Sequence, residues 1–172
     1  MAPTLPILKY PDARLRQSSQ PVSDKDFNVK QLVEMMLATM YANNGVGLAA
    51  IQVAAPLWIF VVDVSVNHDT PLVFINPTIT TFSQEKESAL EGCLSFPGVG
   101  VDVERSKEVS VRAWNRNGLM FNLTASGLAA RAIQHEYEHL DGKLFINHLG
   151  VVKRDILKRQ LAKRARGRTP RN

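Results

Sequence analysis

Apolar positions recur along this 172-residue chain with two periods, and the changes of period mark the expected elements. Val29, Leu32, Val33, Met36, Leu37 and Met40 share one face at helical spacing. Ser23 and Asp26 are spaced as a capping pair before them, and Asn43-Asn44-Gly45 supplies a stop. Short β-branched or alternating runs follow at 57–63 (LWIFVVD), 72–75, 109–113 and 119–123. Pro56, Pro71 and Pro77 stand at their borders, and Asn115-Arg116-Asn117-Gly118 forms a turn between the last two. Thr124 or Ser126 caps a second helix that reaches about Leu140 and stops near Gly142, and Val152, Ile156, Leu157 and Leu161 mark a third. Strands in the middle, helices around them and no regular βαβ alternation predict an α+β fold. Its antiparallel β-sheets pack around a central helix, with an N-terminal and a C-terminal helix.

Composition narrows the class without naming it. An apolar fraction of 45% and a charged fraction of 22% exclude wholesale disorder. One cysteine excludes an internal disulfide framework, and no apolar run approaches the roughly 18–20 residues of a membrane helix. The first residues lack the pattern of a signal peptide, so a cytoplasmic location is expected; no transit peptide is visible to favour an organelle. The net charge of +5 is uneven. Residues 153–172 hold nine Lys or Arg against one acid, Asp155, while the rest of the chain is slightly acidic. Such a cationic tail suits a polyanionic partner, nucleic acid above all.

The strongest chemical signal is His135-Glu136-Tyr137-Glu138-His139 on the second helix. Residues i and i+4 lie on one face, so both imidazoles reach one metal ion, and Glu136 can serve a water without ligating. The familiar peptidase layouts fail: no Glu follows Glu138, and Phe145 occupies the last position of the extended three-histidine motif, with His148 three residues too late. Either a third ligand comes from upstream or there is no catalytic site. Cys93 in Glu91-Gly92-Cys93-Leu94-Ser95 is the candidate, as thiolate ligand or nucleophile, against the bland reading of a small core hydrophobe. The run Gly45-Val46-Gly47-Leu48-Ala49-Ala50-Ile51-Gln52 lacks the spacing of a phosphate loop; it ends in an amide suited to hydrogen-bonding a carbonyl oxygen.

GVGLAAIQ (45–52), EGCLS (91–95) and QHEYEHLDG (134–142), in this order, resemble the peptide deformylase family, and ILKYPDARLRQSSQPV (7–22) is similar to its opening. The resemblance covers residues 7 to about 150 and implies a catalytic domain at 1–152 followed by a basic helix or tail at 153–172. It implies removal of the formyl group from the N-terminal formylmethionine of nascent polypeptides, with release of formate. Cys93, His135 and His139 would bind one divalent ion, Fe(II) natively, replaceable by Ni(II), Co(II) or Zn(II). Glu136 would be the general base, with Gln52 and the Leu94 amide stabilising the developing oxyanion. Val46, Gly47 and Gly92 would hold the extended peptide, and Leu128 and Ala132 would line the methionine pocket. The tail would contact the ribosome. Glu138 departs from the Asp common in the family, which bears on local packing. The rivals are a zinc endopeptidase, which needs a further protein ligand, and an RNA-binding protein with a structural zinc, which has no use for Glu136.

Overall fold

A computed structural model describes residues 2–23 and 28–167. The Asp26 half of the expected capping pair and residues 168–172 of the basic tail lie outside the described residues. Helix α1 spans Val29–Ala42, β1 Gly47–Ala49, β2 Ile59–Val62, β3 Leu72–Phe82, β4 Lys86–Gly92, β5 Gly100–Ser106, β6 Glu108–Trp114, β7 Met120–Ser126, α2 Gly127–Leu140 and α3 Val151–Gly167. One antiparallel sheet runs β1-β2-β3-β6-β7, and β4 pairs with β5 as a separate antiparallel hairpin. This is the expected α+β architecture.

The LWIFVVD run is apolar without alternation because β2 is covered on both faces. Phe60 and Val62 point with Ala49, Phe74 and Val111 toward Ala130, Ile133 and Leu140 of α2. Ile59 and Val61 point the other way, with Leu48 and Val73, onto Val33, Met36, Leu37 and Met40 of α1. A third cluster (Leu15, Phe96, Val103, Phe145, Ile146, Leu161) ties the N-terminal segment, the hairpin and α3 together. Among the described residues no helix is long and apolar enough to cross a membrane.

Several boundaries differ from the sequence expectation. Strand β3 does not stop at Pro77 but continues to Phe82. A register shift against β6 between Ile75 and Thr78, with Asn76 at φ 49°, takes up the missing N–H donor. Ser126 occupies the N-cap position of α2, but its side chain makes no capping bond. The strand turns directly into the helix at Gly127, whose φ is +58°. The end of α2 matches the expected stop: Gly142 has φ +70°, and a Cβ there would overlap the Arg16 carbonyl oxygen. Strands β1, β4 and β5 were not foreseen.

Candidate active site

Three elements converge on one groove of about 690 Å³. Strand β1, at one edge of the sheet, brings Val46 and Gly47; the end of β4 and the turn after it bring Gly92, Cys93 and Leu94; α2 brings Leu128, Ala132, His135 and Glu136. Gln52 and His139 lie one layer deeper, each in contact with Cys93. All eleven candidate residues of the sequence therefore fall in or directly behind one cleft. Leu128 is the only helix residue among them that stands exposed, at the lip.

Sγ of Cys93, on the segment after β4, lies 3.3 Å from Nε2 of His139, and the donor atoms of Cys93, His135 and His139 all fall within 4.8 Å of one another. His135 and His139 sit one helical turn apart, their ring centres 5.1 Å from each other. Nδ1 of His135 lies 2.9 Å from the Glu91 carboxylate, which orients the ring and leaves Nε2 for the cleft. Burial, with the nearby charges of His135 and Arg105, holds His139 well below the usual histidine range, so its ring is neutral with a lone pair free. Burial opposes a charge on His135, yet the Cys93 sulfur and the Glu91 carboxylate outweigh it and raise its pKa well above the usual value. A thiolate with two imidazoles is a soft to intermediate donor set, and it fits a divalent transition-metal ion.

Glu136 is buried, and Oε2 has no hydrogen-bond partner among the described residues. Desolvation pushes its pKa up to about 7, the range suited to moving protons at neutral pH. Gly47 makes room for it: a Cβ at position 47 would overlap Oε1 and stand 2.9 Å from Cγ and Cδ. Gln52 sits on a short 3-10 helix, Ala50–Val53. Its Oε1 accepts the Ala49 N–H at 2.8 Å, which fixes the amide so that Nε2 faces Ser95 Oγ at 3.1 Å and Cys93 Sγ at 3.5 Å. The Lys9 ammonium donates to the Leu94 carbonyl at 2.6 Å and so holds the peptide unit beside Cys93.

The supporting charges were not foreseen. Glu91 is buried and accepts from Arg105 (2.6 and 3.0 Å) and Arg131 (2.8 Å) besides its contact with His135. Arg105 also reaches Glu138, which in turn meets Nε2 of His148 at 2.8 Å. Glu138 and His148 therefore belong to one ion-pair chain that ends on His135. A signal existed in the alternation of β5, where Val101, Val103 and Arg105 all point inward.

Comparison with known proteins agrees with this geometry. A family model described as polypeptide deformylase matches residues 4–155. A peptide deformylase of Teredinibacter turnerae is 46% identical over 164 residues, covering 95% of this chain and 98% of that protein. One from Azotobacter vinelandii is 44% identical, covering 94% and 96%. Among solved structures, the peptide deformylase of Ehrlichia chaffeensis in complex with actinonin superposes with a TM-score of 0.90 at 37% identity, covering 97% of this chain and 99% of that one. Fold, cleft and sequence together make this chain a member of the polypeptide deformylase family, enzymes that remove formyl groups from nascent peptides.

Proposed function

We propose that this chain hydrolyses the N-formyl group of N-formylmethionyl nascent peptides and releases formate, using one divalent ion held by Cys93, His135 and His139. The observation that carries this reading is the meeting of those three donors at the wall of the groove, with the buried Glu136 carboxylate beside them. Fe(II) would be the native ion, with Ni(II), Co(II) or Zn(II) able to replace it, since thiolate and imidazole suit all four. Such an ion would supply Lewis acidity, which can lower the pKa of a water from about 15.7 toward about 7.

The protein's own residues do the rest. Glu136 takes a proton from the attacking water and later gives it to the leaving amine, a double role that its pKa of about 7 suits. Gln52 Nε2 and the Leu94 N–H donate to the oxygen that gains charge as the formyl carbon becomes tetrahedral. Each such preorganised donor is typically worth roughly 2.7–4 kcal/mol. The free edge of β1 at Val46 and Gly47 and the end of β4 at Gly92 flank the groove, so an extended peptide can pair with backbone on either side. Leu128 and Ala132 receive the methionine side chain.

Residues 1–152 would carry the chemistry, and the basic segment 153–172 would contact the ribosome, placing the enzyme in the cytoplasm where chains emerge. Lys153, Arg159 and Lys163 are exposed on α3, whereas Leu161 is buried in the core, so charge reversal tests this better than truncation. K153E/R159E/K163E should keep turnover of a short formyl peptide and lose salt-sensitive cosedimentation with ribosomes. For the main reading the test is formate release from formyl-Met-Ala-Ser under anaerobic conditions. One formate per free amine is expected; a metal-loaded protein that releases none contradicts it.

A further inference from the structure

One wall of the groove is polar. Arg131 of α2 lines it, between Leu128 and Ala132 in the chain, and Leu90 and Gly100 of the hairpin line the same groove. Nη1 of its guanidinium donates to Glu91 Oε1 and to the Val103 carbonyl, both at 2.8 Å, and Nη2 donates to the Glu87 carbonyl at 2.7 Å. These three anchors on β4 and β5 fix the fork in place. A guanidinium has five N–H donors, so two remain, and among the described residues neither has an acceptor. The side chain keeps 12% of its exposure, and the residue is one of those that line the groove. A pinned cation with two spare donors thus lines a groove to which Leu90, Leu128 and Ala132 contribute apolar side chains.

We propose that Arg131 lets this enzyme also deformylate peptides that begin with N-formylmethionine sulfoxide. The inference rests on the reading that this groove receives the first side chain of a formyl peptide. A sulfoxide oxygen is a strong acceptor, and an all-apolar pocket would strip its water without replacement. The spare N–H groups of Arg131 replace that water. A thioether is still accepted, because the weakly hydrated guanidinium lies comfortably against apolar groups. The reaction is the same hydrolysis: water adds across the formyl C–N bond, formate leaves, and the amine takes the proton. The sulfoxide is untouched, so no oxidant or reductant is needed. Methionine sulfoxide is a common oxidative lesion, and a chain start carrying it would otherwise stay formylated.

The test compares kcat/KM for formyl-Met-Ala-Ser and its synthetic sulfoxide analogue, using the metal-loaded full chain as wild type, Arg131→Met and Arg131→Lys. The wild type should process the sulfoxide within about tenfold of the thioether, and Arg131→Met should lower the sulfoxide-to-thioether ratio about ten- to a hundredfold, whatever loss is common to both. Arg131→Lys, which keeps a donor, should recover part of that ratio. The proposal is overturned by an Arg131→Met ratio equal to that of wild type, or by a wild type that turns over the thioether but discriminates more than about a hundredfold against the sulfoxide. Failure of the wild type on the thioether itself would instead remove the deformylase reading.

Discussion

Oε2 of Glu91 lies 2.9 Å from Nδ1 of His135, a residue 44 positions further along the chain. That contact is one of several that join the hairpin to α2, and it decides which nitrogen of the ring faces Cys93. The same carboxylate collects Arg105 and Arg131, so a single buried acid organises both the His135 ring and two cations.

Glu91→Ala should therefore be far more damaging than an ordinary surface change. It leaves Arg105 without its closest partner in the interior and frees the His135 ring. Removing one partner of a buried ion pair typically costs about 3–5 kcal/mol. Loss of the group that orients a metal-binding histidine typically weakens metal affinity about 10–100-fold. Denaturant unfolding and metal content after dialysis measure the two effects. Wild-type values for both would show that Glu91 orients nothing.

Gly47→Ala tests whether the position of Glu136 matters to turnover. The added methyl overlaps the Glu136 carboxylate, which has to move, while the Gly47 backbone itself needs no special conformation. Displacement of about 1 Å at a reacting group can cost about a hundredfold in rate. The fall should appear in kcat with metal content unchanged, as read by steady-state kinetics beside metal analysis.

Acid should unfold the protein through its buried carboxylates. Burial alone would push the Glu91 pKa up, but hydrogen bonds from His135 and Arg105 outweigh it and hold the value at about 2, below the ordinary 4.5. Asp63 is likewise depressed: burial opposes it, and the bonds from Ser65 and Tyr41 prevail. A depressed folded pKa means that the unfolded chain binds protons first, so this stability is present above about 4.5 and drains away as pH falls toward about 2. Thermal midpoints recorded across that window should drop steeply for wild type and less steeply for Glu91→Gln. Parallel curves would contradict the assignment.

The elements with a strong period were legible in the sequence: α1 from its Met and Leu stripe, β2 from an unbroken apolar run, and α2 from the face that carries both histidines. The hairpin was not. Lys86, Glu87 and Ser88 are exposed in β4, which packs only its inner end, so no alternation of apolar residues marks it. The missed hairpin hid Glu91 and Arg105, whose pairing depends on a strand register that no local spacing reveals. Cys93 was reached through what the histidine pair lacked, a chemical deficit rather than a pattern. Glu138 meets two partners, Arg105 and His148, distant in sequence from each other, so no local spacing points to its ion pairs.

The central claim is that one sulfur and two imidazoles grip a single ion. X-ray absorption at the metal edge of the anaerobically purified enzyme measures this directly. One sulfur and two histidine nitrogens in the inner coordination sphere, with the sulfur lost in Cys93→Ala, is the predicted result. A spectrum with no sulfur scatterer in the wild type, or one unchanged by Cys93→Ala, would contradict it.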